Sequence, residues 1–200
     1  MKQGISDYIQ SVDSVFILIV AISAVILIGV TVVMIYFVIK YNRKRHPQAV
    51  NIEGNVALEI TWIAIPVVLV LTMFYFGFST FKELRIIPDN AYTIKVTGQM
   101  WKWNFAYQNG KRSDTLYVPV NKPLKLVLTS LDVNHSFYIP SFRIKEDLVF
   151  GKETYLAFIP DKIGSYEITC AEYCGLNHSY MYNKINVIPQ DKFEEWVAKK

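Results

Sequence analysis

The sequence has no internal repeat and no low-complexity tract, so it encodes neither a solenoid nor a biased linker. It has no C-x-x-C-H, which excludes a covalently attached haem c. Charge is thin and mixed: residues 81–200 hold 16 Lys+Arg against 13 Asp+Glu, too mild a balance for a nucleic-acid-binding surface. Cysteine and histidine are scarcer still, two and three in 200 residues. The longest absence lies near the start. From Val15 to Ile39 there is no charged and almost no polar side chain, a run of about 25 residues where about 20 suffice for a helix to cross the hydrocarbon layer.

That run reads as a membrane span. A cleaved signal peptide would have a basic start, a shorter apolar stretch and a small-residue cleavage site. Here Asp7 and Asp13 precede the run, and Lys40, Arg43, Lys44 and Arg45 follow it. A second run, Ile60 to Thr80, is again about one span long, so the two predict a helical hairpin through the bilayer, with Pro66 a candidate kink and Trp62 near an interface. The loop between them carries four Lys/Arg against Glu53 and Glu59, which favours the cytoplasmic side. Both termini and everything after Thr80 are then expected outside.

Past Phe81 the pattern changes to alternation, in TIKVTGQMWKWNFAY (Thr93 to Tyr107), LKLVLTS (Leu124 to Ser130), TYLAFIP (Thr154 to Pro160) and SYEITC (Ser165 to Cys170). These read as strands, separated by turn signals at Asn109-Gly110, Asn121 to Pro123 and Asp161 to Gly164. No helical period returns until Asp191 to Lys200. About 100 residues of short strands predict a β-sandwich or small barrel.

What soft-ligand chemistry the chain owns is concentrated in CAEYCGLNHSYM, Cys170 to Met181: both cysteines, one histidine and one methionine. A disulfide between Cys170 and Cys174 is one reading, in an oxidising compartment. It has no use for His178 and Met181 beside it. Thiolate and thioether are soft donors that suit copper(I), and imidazole suits copper in either oxidation state. Zinc would also accept two Cys and two His, but would not need the methionine. A second cysteine beyond what a single-copper electron-transfer site requires points to two bridging thiolates. The missing second imidazole is His135, in LDVNHSFYIPSF (Leu131 to Phe142), because His46 sits in the basic loop.

These residues closely resemble subunit II of the haem-copper cytochrome c oxidases, over nearly the whole chain. In that family two membrane helices precede a cupredoxin domain holding a binuclear copper centre, CuA. The motifs are D-V-x-H-S, here Asp132 to Ser136, and C-x-E-x-C-x3-H-x2-M, here Cys170 to Met181. The resemblance implies bridging thiolates from Cys170 and Cys174, terminal imidazoles from His135 and His178, and weak ligands from Met181 and the Glu172 carbonyl. It also implies that the Glu172 side chain binds magnesium or manganese at the border with subunit I. A hard cation takes about six oxygen ligands, so a partner chain must complete that site. GQMWKWNFAY (Gly98 to Tyr107) matches the family's aromatic segment, which makes Trp101 the electron entry point from a c-type cytochrome. Alternation alone would put Trp101, Trp103, Phe105 and Tyr107 on one strand face. LEITWIAIP (Leu58 to Pro66) resembles the start of the family's second helix, which makes Glu59 a proton-path entrance. Its plainer reading is an interfacial carboxylate favoured by the helix dipole.

Two segments depart from the family. Leu148 to Lys152 reads LVFGK where the family has I-P-G-R, so an arginine's bidentate contact is lost at Lys152. The loop after W-x-W, often acidic in the family, reads NGKRSD here (Asn109 to Asp114). With the net basic balance, that leads us to expect a donor that is acidic, weakly charged or membrane-tethered.

The expected architecture is a two-helix transmembrane hairpin (residues 1–85, spans 15–39 and 60–80), an all-β cupredoxin-like sandwich (86–188) and a C-terminal helix (189–200). The expected function is electron entry to a respiratory haem-copper oxidase, in a bacterial-type cytoplasmic or organellar inner membrane. Oxygen chemistry would reside in the catalytic subunit. The CuA subunit of a nitric oxide reductase is an alternative, since the catalytic subunit decides between them. A membrane-anchored copper chaperone is a weaker one, because such proteins favour open, exchangeable sites.

Overall fold

The computed structural model describes residues 4–199 apart from 49 and 52. The chain divides into two units, residues 13–80 and residues 4–12 together with 81–199.

The helical unit holds most of α1 (Ile5–Lys40) and α2 (Val56–Leu84), both long and apolar enough to cross a membrane, with their spanning side chains exposed. α1 begins ten residues before the uncharged run. Its 36 residues make about 54 Å of helix, against a hydrocarbon core of about 30 Å. Hydroxyls inside the spans return their hydrogen bonds to their own helix: Thr31 Oγ1 donates to the Leu27 carbonyl at 2.7 Å and Thr72 Oγ1 to that of Val68 at 2.8 Å. An unpaired hydroxyl in lipid would be costly. Asn42 Nδ2 caps the end of α1 on the Ile39 carbonyl at 2.8 Å. Asn55 caps the start of α2, its Oδ1 accepting from the Leu58 N–H at 3.2 Å.

The second unit is a sandwich of two five-stranded sheets. One has the order β3-β2-β1-β5-β8, with β1 Tyr92–Gln99, β2 Lys102–Tyr107, β3 Arg112–Ser113, β5 Leu124–Ser130 and β8 Thr154–Phe158. The other has the order β4-β10-β9-β6-β7, with β4 Leu116–Pro119, β6 His135–Ile139, β7 Ile144–Leu148, β9 Gly164–Cys170 and β10 Tyr182–Ile188. The alternation seen in the sequence is the burial pattern: Ile94, Val96, Leu124, Leu126 and Leu128 face inward, and the residues between them do not. Trp103, Phe105 and Phe137 fill the middle, Trp103 and Phe137 edge to face with ring centroids 5.2 Å apart.

TIKVTGQMWKWNFAY is not one strand but a hairpin. β1 and β2 pair antiparallel from Ile94↔Tyr107 to Gln99↔Lys102, and Met100 and Trp101 form the turn. Trp103, Phe105 and Tyr107 share the core face as alternation requires, whereas Trp101 stands outside it. Lower in the sandwich, Tyr107 Oη donates to the Tyr117 carbonyl at 3.1 Å and accepts from the Tyr117 N–H at 2.8 Å. α3 (Gln190–Ala198) packs Phe193 and Trp196 against Tyr107. The first residues of α1 also belong here: Ile5 is buried, and Asp161 accepts from both the N–H and the Oγ of Ser6 at 2.9 Å.

Candidate metal centre

The candidate donors meet at one end of the sandwich because three connections end there. Cys170 is the last residue of β9, and Met181 immediately precedes β10. Their backbones are bonded across the hairpin, Cys170 N–H to the Met181 carbonyl at 3.2 Å, so the loop between them closes with a sulfur at each end. Antiparallel pairing sets Phe137 of β6 opposite Cys170. Two residues earlier on the same face is His135, which therefore points at the same place.

Within the loop, Gly175 has φ of +114°, which few residues with a Cβ adopt, and a Cβ there would lie 3.3 Å from the Trp101 ring. The close approach matters because Trp101 Nε1 donates to the Cys174 carbonyl at 3.1 Å. A Cβ on Gly98 would lie 3.3 Å or less from Leu148, Trp103 and the His135 ring. Both glycines let backbone and aromatic close around the donors.

Cys170 Sγ and Cys174 Sγ lie 3.7 Å apart as free thiols, far beyond the ~2.05 Å of a disulfide. His135 Nδ1 is 3.9 Å from Cys170 Sγ, His178 Nδ1 is 3.6 Å from Cys174 Sγ, and Met181 Sδ is 3.9 Å from Cys174 Sγ. The Glu172 carbonyl oxygen is 3.3 Å from Cys170 Sγ. Ligand atoms of His135, Cys170 and Cys174 all lie within 4.8 Å of one another, in the one such group among the described residues. His135 and Met181 are almost wholly enclosed, at 0% and 1% exposure.

The Asp132 carboxylate fixes how His135 presents itself. Its Nε2 is 2.8 Å from Asp132 Oδ1. The Asp132 carboxylate also accepts the N–H groups of Met100 and Val133, each at 2.7 Å. Burial works to raise its pKa, but the hydrogen bonds from Met100, His135 and Val133 together hold it below the ordinary value. An ionised acceptor on Nε2 requires the proton there, which leaves the Nδ1 lone pair facing the sulfurs. Ser136, also fully buried, donates from Oγ to Asp147 at 2.7 Å and anchors the start of β6.

Burial first, and the Cys170 thiol beside it second, push Cys174 up to about 12. A bare thiolate is thus unfavourable in this place, and a cation is what would make it favourable. The donors fit a soft metal: two thiols, two imidazole nitrogens, a thioether and a carbonyl converge, with His135, Cys170, Cys174 and Met181 buried and His178 half-buried, which is copper chemistry. Metal–sulfur bonds of about 2.3 Å are compatible with the observed sulfur separation.

The residues singled out in the sequence thus divide. His135, Cys170, Cys174, His178 and Met181 come together, and Trp101 lies against the loop that carries them. The Glu172 side chain is exposed and joins no metal-binding group among the described residues. Glu59 is in the first turn of α2, in the helical unit. His46 is there too, its ring 5.0 Å from that of Tyr41. The sequence reading passed over Asp132 as a positioning residue, although an acid three before a candidate ligand histidine was there to be read.

Comparison with known proteins gives one answer along the chain. Residues 1–80 match the family model for the cytochrome c oxidase subunit II transmembrane domain, and residues 111–188 that for its periplasmic domain. A probable cytochrome c oxidase subunit 2 of Rickettsia bellii is 29% identical over 90% of this chain and 75% of its own length. The subunit 2 of Alkalihalophilus pseudofirmus is 32% identical over 90% of this chain and 56% of its own. Among solved structures, the periplasmic domain of subunit II of the Bradyrhizobium japonicum cytochrome oxidase superposes with a TM-score of 0.53 at 32% identity. It covers 56% of this chain and 94% of that one.

Proposed function

The chain belongs to the cytochrome c oxidase subunit II family, a membrane-bound oxidoreductase component with an outer-side domain, and on that premise we propose that it is the electron-entry subunit of a haem-copper oxidase. In this reading it takes single electrons from a c-type cytochrome and passes them to haem in the catalytic subunit. The observation that carries the reading is the pair of buried free sulfurs 3.7 Å apart, with an imidazole nitrogen within 3.9 Å of each.

Cys170 and Cys174 would bridge two coppers, His135 and His178 would end the set, and Met181 and the Glu172 carbonyl would be its weak members. Copper held there supplies a carrier that gains and loses one electron with little rearrangement. The chain's own residues do the rest. Asp132 orients His135, burial of His135, Cys174 and Met181 limits water at the sulfurs, and the loop between β9 and β10, closed by the Cys170–Met181 backbone bond, holds them in place. Trp101, hydrogen-bonded to the Cys174 backbone, is the aromatic surface through which electrons enter. The Glu172 side chain would share magnesium or manganese with subunit I, and Glu59 would stand at a proton-path entrance. The basic loop after α1, which favours the cytoplasmic side, supports an outward-facing β unit in this reading.

Reductive titration of the copper-loaded chain by a reduced c-type cytochrome tests this. Uptake of one electron per two coppers is expected. Copper that the cytochrome cannot reduce would overturn it.

A further inference from the structure

The two sheets carry their charge differently. The strands of the β4-β10-β9-β6-β7 sheet mix Lys145 and Lys184 with Glu146, Asp147 and Glu167. Those of the β3-β2-β1-β5-β8 sheet contain Lys95, Lys102, Arg112 and Lys125 and no acid. None of these four cations has an ion pair among the described residues, and Lys95, Lys102 and Arg112 are exposed.

Register places them. Lys95 pairs with Ala106, and Ala106 with Arg112, so the two cations flank a methyl group across about 10 Å of sheet. Thr97 pairs with Asn104 in the next row. Together with Leu131 these residues line a cleft of about 860 Å³. Asp114 is the acid among its lining residues. Lys95 and Arg112 thus stand one strand apart on a sheet whose strands carry no acid.

This cleft shares two lining residues with another that reaches Trp101. Asn104 and Asp114 also line a second cleft, of about 500 Å³, together with Trp101, Lys102 and Lys184. Met100, Leu131 and Val133 are exposed apolar residues beside the same turn. An apolar patch at the electron path with cations to one side has the layout of a transient interface: apolar contact at the centre, charge at the rim for steering.

We propose that this basic sheet face, from Lys95 and Arg112 to Lys102, is the docking surface for an acidic protein, namely the negatively charged face of the c-type cytochrome donor. The proposal rests on the electron-entry reading and adds to it the sign of the partner's charge. A protein occupant is favoured over an anionic lipid surface because the cleft adjoins the one that Trp101 lines, where the occupant has to deliver an electron.

The test uses the intact oxidase complex. Its reduction is followed by stopped flow with a basic c-type cytochrome and with the same cytochrome charge-reversed by Lys→Glu substitutions, at low and high ionic strength. The acidic form should react at least about tenfold faster at low salt and lose that advantage as salt rises. Lys95→Glu with Arg112→Glu should slow the acidic form at least about tenfold at low salt. The milder Lys95→Gln with Arg112→Gln should slow it less, and both pairs should leave the copper spectrum and reduction by a small uncharged reductant unchanged. A faster low-salt reaction of the basic form, or rates the substitutions do not alter, would overturn the proposal. So would failure of both substituted chains to assemble with the other subunits, or loss of anionic-vesicle binding with donor rates intact, which would assign the face to a subunit or to lipid. Failure of the electron-entry reading is separately visible, as copper that the small reductant reduces but neither cytochrome does.

Discussion

Asp132 and His135 form a carboxylate–imidazole pair at 2.8 Å, three residues apart, with the ring wholly buried and its other nitrogen turned toward Cys170. The carboxylate acts on the donor set through the ring's tautomer and orientation. Asp132→Asn keeps a hydrogen-bonding group there but removes the charge that holds the proton on Nε2. Copper should still bind, with affinity lowered about 10–100-fold, as read by competition with a chelator. Affinity equal to the parent chain's would remove Asp132 from the site.

The donors differ in weight. Cys170→Ser or Cys174→Ser should abolish the two-copper state, because each sulfur is expected to touch both ions. Met181→Leu should keep both coppers and shift the reduction potential, since an axial thioether is a weak ligand. Metal analysis with spectroelectrochemistry separates the two classes. Loss of copper in the leucine variant would make Met181 a principal ligand.

Trp101→Phe removes the hydrogen bond to the Cys174 carbonyl and shrinks the aromatic surface beside the loop. We expect the copper spectrum to be retained and reduction by the cytochrome to slow by at least about tenfold, equivalent to ~1.4 kcal/mol in barrier. Stopped-flow mixing with the donor reads this. An unchanged rate would show that electrons enter elsewhere.

Away from the metal, Tyr107 should make the β domain sensitive to alkali. Burial raises its pKa above the ordinary tyrosine value, against the lowering effect of the hydrogen bond its oxygen accepts from the Tyr117 N–H. A neutral phenol favoured by folding contributes stability that is complete below the unfolded pKa of about 10 and is lost as pH climbs above it. Tyr107→Phe leaves the Tyr117 N–H without its acceptor. It should cost about 1–3 kcal/mol near neutral pH and lessen the alkaline loss, as followed by thermal unfolding across pH. Parallel alkaline profiles for the two chains would contradict this.

The candidate donors and the apolar helices were legible because their signals are local. An uncharged apolar run has one low-energy environment, and C-x3-C-x3-H-x2-M places soft ligands within one loop. The strands announced themselves by period, but alternation carried too far joined β1 to β2 and put Trp101 on the core face. The turn at Met100 and Trp101 contains neither Gly, Pro nor Asn, so no turn chemistry marked it. The Asp132 bond to His135 and the approach of Gly175 to Trp101 depend on tertiary placement. So does the basic sheet face, since residues 95, 102, 112 and 125 become neighbours only through strand order.

The most direct measurement is electron paramagnetic resonance on the oxidised, copper-loaded chain. Two sulfurs shared by two coppers should delocalise one unpaired electron, so the spectrum should show hyperfine coupling to two equivalent copper nuclei, with two coppers per chain by metal analysis. A four-line pattern from a single copper, or zinc retained in preference to copper, would contradict the account.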